Sequence, residues 1–68
     1  MSKVALIGGG SFGTALAVLL SKKGNDVYIY DRDEYVVNDI EKNKRNSKYL
    51  PELIIPDNIK ATTVSSKL

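Results

Sequence analysis

The chain contains no cysteine and no histidine. The first absence rules out a disulfide framework, and the two together remove the commonest zinc ligands, so neither covalent staples nor a structural metal is expected. A cysteine-free chain also fits an intracellular protein, and the cytoplasm is the expected location. Long apolar runs are missing too. The longest, Ala15 to Leu20, is far short of the roughly 20 residues that span a bilayer, and no charged-then-apolar leader opens the chain. No membrane span is expected. Nor is there a strong excess of one charge. The net charge is +2, and Lys42, Lys44, Arg45 and Lys48 lie in an Asn-rich segment whose only aromatic is Tyr49, which reads as a solvated helix end and loop rather than a nucleic-acid surface.

What is present is the composition of a small folded unit. With 43% hydrophobic and 26% charged residues and only two prolines, the sequence is globular rather than disordered. At 68 residues it buries only about 60% of the surface its unfolded form exposes, so its stability is expected to be marginal. There is no internal repeat and no interdomain linker.

Val4, Ala5, Leu6 and Ile7 form a continuous apolar run ending at three glycines, the pattern of a parallel strand covered on both faces. Lys3 to Ile7 is therefore read as a first strand. From Ser11 to Lys23 the apolar residues Phe12, Ala15, Leu16, Leu19 and Leu20 recur at helical spacing, with Lys22, Lys23 and Gly24 supplying C-terminal charge and a cap. Asp26 to Tyr30 alternates and is rich in β-branched and aromatic residues, which predicts a second strand. Arg32, Asp33 and Glu34 place acids in the first turn of a second helix whose Tyr35, Val36, Val37 and Ile40 would face the sheet, ending near Asn43. Residues 46–58 hold both prolines and read as an irregular but packed loop. A last strand is predicted from Ile59 to Val64.

Gly8, Gly10 and Gly13 satisfy G-x-G-x-x-G directly after a buried-type strand and at the opening of a helix, the context the motif requires. Gly8 would turn the chain off the strand, Gly10 would let backbone approach a pyrophosphate, and Gly13 would let the helix pack closely. Amides near Ser11, Phe12 and Gly13 would point at the phosphates, aided by the positive end of the helix dipole. No Gly-Lys-Ser/Thr follows, since Thr14 comes straight after Gly13, so a triphosphate-binding loop is excluded and a dinucleotide is favoured.

The choice of nicotinamide cofactor rests on two neighbours. Asp31 lies 18 residues past Gly13, where an acid commonly binds the ribose 2′-hydroxyl of NAD. Arg32 follows, and its guanidinium suits a 2′-phosphate or the adenine face. A carboxylate beside a 2′-phosphate repels it, so the reading is dual use leaning to NAD, with NADP open.

Several stretches carry a family resemblance: V-A-L-I-G-G-G-S-F-G-T-A-L-A from Val4 to Ala17, Y-D-R-D from Tyr30, N-S-K-Y-L-P from Asn46, Ile55-Pro56, and N-I-K-A-T from Asn58. The chain resembles the N-terminal part of bacterial NAD(P)-dependent glycerol-3-phosphate dehydrogenases, from Lys3 to about Thr63. Tyr49-Leu50-Pro51 and the later N-I-x-A-T are more specific than the glycine motif. The resemblance implies hydride transfer between dihydroxyacetone phosphate and sn-glycerol 3-phosphate, in the cytoplasm, for phospholipid synthesis. It also implies that Ser11 and Phe12, through their amides, Arg32 and Asp33 near the adenosine end, and Tyr49 from a loop over the site are associated with the cofactor. The family's catalytic lysine has no counterpart here, so no catalytic residue is assigned. The closing Val64-Ser65-Ser66-Lys67-Leu68 departs from the family pattern and suggests a truncated or frameshifted product. The terminal Ser-Lys-Leu is taken as a chance match to a peroxisomal address.

The expected architecture is α/β, a partial Rossmann unit of β-α-β-α-β with parallel strand order 3-2-1, lacking strands 4–6, so that residues 1–68 form the N-terminal part of a dinucleotide-binding domain without a catalytic domain. The missing fourth strand leaves the edge of strand one open and predicts homo-oligomerisation there. Three functions follow from this: an inactive NAD(P)-binding segment of the dehydrogenase, a stand-alone nucleotide-binding module, or an interaction remnant that binds nothing.

Overall fold

The computed structural model describes residues 2–63. Strands β1 (Lys3–Ile7), β2 (Asp26–Asp31) and β3 (Ile59–Thr63) alternate with helices α1 (Ser11–Lys22) and α2 (Glu34–Asn43). The sheet is parallel with β2 in the middle, which is the expected 3-2-1 order. Val64, the expected end of the last strand, lies outside the described residues, as do Ser65 to Leu68.

Two successive crossovers run the same way along the sheet, and a common hand puts both helices on one face. Register fixes which face that is. Val4 pairs with Val27 and Val27 with Ile59, while Leu6 pairs with Ile29 and Ile29 with Ala61. Val27, Ile29, Ile59 and Ala61 are buried with Ala17 and Val18 of α1, Val36, Val37 and Ile40 of α2, and Ile55 of the long loop, in a single core. Leu6, Leu20 and Leu53 pack against its margin.

The opposite face corrects the expectation that β1 is covered on both sides. Lys3, Ala5 and Ile7 are exposed, Ile7 at 84%, and no helix among the described residues covers them. The apolar run of β1 is thus only half used within this chain.

Helix α1 corrects the predicted stripe. Its buried residues are Thr14, Ala17, Val18 and Ser21, whereas Phe12 is 79% and Leu19 54% exposed. Small side chains let the helix sit close to the sheet. The two buried hydroxyls remain satisfied, Thr14 Oγ1 donating to the Gly9 carbonyl at 3.1 Å and Ser21 Oγ to Val18 at 2.9 Å. The helix ends at Lys22 rather than Lys23, and Gly24 then adopts φ +95° as the expected stop.

Helix α2 begins one residue after its cap, Asp33, whose carboxylate accepts the Tyr35 amide at 3.0 Å. Val36, Val37 and Ile40 face the core as expected. Tyr35 does not, being 62% exposed, because it stands at the first turn on the outward side. The free side of β3 is occupied by a side chain, since the Ala61 amide donates to Glu41 Oε2 at 2.8 Å.

Candidate functional site

The glycine turn leaves β1 at Gly8, which has φ +101°, a conformation that favours glycine. Its amide still continues the ladder, donating to the Tyr30 carbonyl at 2.7 Å. Gly13 then brings α1 against this point: a Cβ there would lie 2.6 Å from the Gly8 carbonyl oxygen. The atom it would meet is backbone, which cannot swing aside as the end of a flexible side chain can. Gly10 is different. A Cβ on it would meet nothing within 4 Å, so the space before the helix start is open.

That helix start is left without an internal partner. The first amides of a helix have no intrahelical acceptor, Gly10 supplies no side-chain cap, and α1 has no acidic residue in its first turn. Helix α2 makes the contrast, with Asp33 as cap and Glu34 in its first turn. The positive end of α2 is thereby answered from within the chain, and that of α1 is free to answer an anion.

Beside the turn, a cleft of about 420 Å³ opens at the C-terminal ends of β1 and β2, lined by Ile7, Gly8, Tyr30, Asp31 and Arg32. Ligands of open α/β sheets sit at such strand ends. Both oxygens of Asp31 are already engaged, Oδ2 by the Gly9 amide and Oδ1 by the Asp33 amide at 2.8 Å. Each oxygen retains a second lone pair, so the carboxylate is oriented but not saturated. Arg32 is exposed at the rim.

Asp33 pairs with Lys48, Oδ2 to Nζ at 2.8 Å. The Lys48 hydrogen bond, opposed in part by burial and helped by the Tyr35 and Val36 amides, holds the Asp33 carboxyl below the usual carboxylate range. The same partner pushes the Lys48 ammonium up. This ammonium also lies 5.4 Å from the centre of the Tyr49 ring.

Of the expected site residues, Gly8, Asp31 and Arg32 come together in the cleft, and Gly10, Ser11, Phe12 and Gly13 form the adjoining helix start. Asp33 stands at the head of α2. Tyr49 does not line the cleft; it is 43% exposed on the loop after α2. Sequence reasoning passed over Gly9, where a Cβ would sit 3.0 Å from Asp31 Oδ2 and 3.2 Å from Val36 Cγ1. It also missed buried Thr14 and Asn46, which bond to Gly9 from behind. The three consecutive glycines were the one signal for the first of these.

Comparison with known proteins gives this geometry a family. The model for the NAD-dependent glycerol-3-phosphate dehydrogenase N-terminus matches residues 3–67. A glycerol-3-phosphate dehydrogenase (NAD(P)+) of Clostridium botulinum strain Alaska E43 is 66% identical over 61 residues, covering 90% of this chain and 18% of the relative. One from Leptospira biflexa is 48% identical over the same shares. The crystal structure of glycerol-3-phosphate dehydrogenase from Coxiella burnetii superposes with a TM-score of 0.84 at 34% identity, covering 91% of this chain and 19% of that one. The chain therefore spans about a fifth of the length of these relatives. It belongs to the NAD-dependent glycerol-3-phosphate dehydrogenase N-terminal family.

Proposed function

We propose that residues 1–68 form the N-terminal part of a dinucleotide-binding domain and hold NAD or NADP. The observation that carries this reading is the start of α1, where the first-turn amides face an open approach at Gly10 with no cap and no acid to compete. Gly8, Gly10, Ser11, Phe12 and Gly13 receive the pyrophosphate. Asp31, Arg32 and Asp33 face the adenosine end, and Tyr49 approaches from the neighbouring loop. Asp31 favours the ribose of NAD, while Arg32 accommodates the 2′-phosphate of NADP.

The relatives are named glycerol-3-phosphate dehydrogenase (NAD(P)+), and the reading extended to the protein this chain heads is interconversion of dihydroxyacetone phosphate and sn-glycerol 3-phosphate by hydride transfer, in the cytoplasm, for glycerophospholipid synthesis. No lysine or arginine of this chain is assigned a catalytic part. By itself the chain binds cofactor without transferring hydride. Calorimetry of the 68-residue chain with NADH, NADPH and ADP-ribose tests the binding: micromolar affinity for all three, with NADH at least equal to NADPH, is expected. Absence of binding at millimolar ligand would overturn it.

A second reading concerns assembly. Strand β1 ends the sheet, its outer edge has no strand partner among the described residues, and Ile7 is 84% exposed. An open apolar edge pairs readily with another chain, so self-association at β1 into a homodimer accompanies the binding role.

A further inference from the structure

Asn46 is fully buried, at 0% exposure, on the loop that follows α2. Its Nδ2 donates to the Gly9 carbonyl at 2.7 Å and to Thr14 Oγ1 at 2.8 Å, and that hydroxyl donates in turn to the same carbonyl. Its Oδ1 accepts the Tyr49 amide at 3.4 Å, and its own backbone carbonyl accepts the Leu50 amide at 2.7 Å. One side chain thus joins two segments 37 residues apart.

A buried amide is costly unless every polar atom is matched, and an apolar side chain fills such a space without that demand. The matched set here converges on a single residue and the two peptide groups that flank it. The Gly9 amide is taken by Asp31 in front, and the Gly9 carbonyl by Asn46 and Thr14 behind. Hydrogen-bonded on both sides, Gly9 is restrained, and with it the direction of Gly10 and of the amides that follow. No Cβ at Gly9 would stiffen the turn from within, because that position is crowded by Asp31 and Val36. The stiffness is supplied from outside.

We propose that Asn46 is a positioning residue for the phosphate site, fixing the glycine turn in its ligand-receiving form and tying it to the Tyr49 loop. The proposal rests on the cofactor-binding reading above and adds to it a residue that touches no cofactor itself. It follows that a change at Asn46 acts on affinity through the geometry of Gly9 rather than through lost contact with ligand.

Asn46→Asp tests this in the full 68-residue chain. The substitution keeps shape and the Oδ1 acceptor but removes both Nδ2 donors. NADH titration, with affinity referred to the folded fraction measured by circular dichroism, is paired with amide hydrogen exchange without ligand. Expected are a fall in NADH affinity of about tenfold or more, faster exchange at Thr14 and Leu50, and exchange of the central β2 amides within about twofold of wild type. A role in folding alone would lower the melting temperature and leave the affinity of the folded fraction unchanged, which would overturn the proposal. If the wild-type chain binds no NADH, the cofactor reading fails separately, and exchange decides: unaltered rates at Thr14 overturn the role of Asn46, and selective acceleration there upholds its hold on the turn. If Asn46→Asp does not fold, Thr14→Val, which removes one donor to the Gly9 carbonyl, is judged by the same two readouts.

Discussion

The carboxylate of Asp31, at the end of β2, accepts the amide of Gly9 in the middle of the glycine turn. The acid expected to meet a ribose hydroxyl is thus also a brace for the turn, and its charge is fixed beside the cleft. Asp31→Asn keeps the shape, removes the charge and leaves one acceptor oxygen for the two amides of Gly9 and Asp33. Loss of one charged hydrogen bond is expected to lower stability by about 1–3 kcal/mol in urea unfolding. In calorimetry NADPH should gain on NADH, since the repulsion of its 2′-phosphate is gone. An unchanged midpoint together with an unchanged cofactor ratio would count against both roles.

Gly10 and Gly13 are expected to separate binding from folding. Gly13→Ala forces a Cβ to 2.6 Å from the Gly8 carbonyl, and the gain in helix propensity of about 1 kcal/mol does not offset a clash with a backbone oxygen. The unfolding midpoint should fall. At Gly10 the backbone angles, φ −70° and ψ −176°, suit any residue and the surroundings are open. Gly10→Ala should change stability by less than about 1 kcal/mol while cutting NADH affinity about tenfold or more. Equal effects of the two substitutions on folding would refute the division.

Acid should weaken the fold through two aspartates. Lys48 holds the Asp33 carboxyl low, and the Asn43 side chain with the Ser47 amide does the same for Asp39. A carboxyl with a lowered folded pKa stabilises above its ordinary value of about 3.9, and that contribution is lost as pH falls through the lower folded value. The melting temperature should therefore drop between about pH 5 and pH 2, and either Asp33→Asn or Asp39→Asn should flatten the slope. Added salt should erase the exposed Asp33–Lys48 part and leave more of that from Asp39, which is buried. A profile identical in all three proteins would rule these groups out.

The proposed association at β1 has its own probe. Ile7→Lys alters a side chain that is 84% exposed, so folding should be unaffected, and a lysine beside an open edge discourages pairing. Sedimentation should show self-association weakened about tenfold. Unchanged association would remove this edge from the interface.

The strand and turn at the head of the chain were legible because β1 and the glycine spacing leave few alternatives. Helix α1 was legible as a helix but not in its orientation. Phe12, Ala15, Leu16, Leu19 and Leu20 satisfy the helical period, and so do Thr14, Ala17, Val18 and Ser21; of the first set Leu20 does pack against the core. Hydrophobicity favours the first set, while close approach to the sheet selects the second. Tyr35 was misplaced for a related reason, since an aromatic next to two valines reads as core although its angular position on α2 is outward. Asn46 was invisible as a functional residue. Nothing local marks an asparagine 37 residues from the peptide it holds.

The bond from Glu41 to the Ala61 amide gives the sheet a stoppered end. A backbone donor that would otherwise invite another strand is already spoken for by a carboxylate from α2, so growth of the ladder has a direction. An incoming strand meets that carboxylate at β3, whereas β1, next to the point where the glycine turn departs, has no strand partner on its outer side among the described residues. The flank open to a neighbour is therefore also the flank on which the uncapped start of α1 is built.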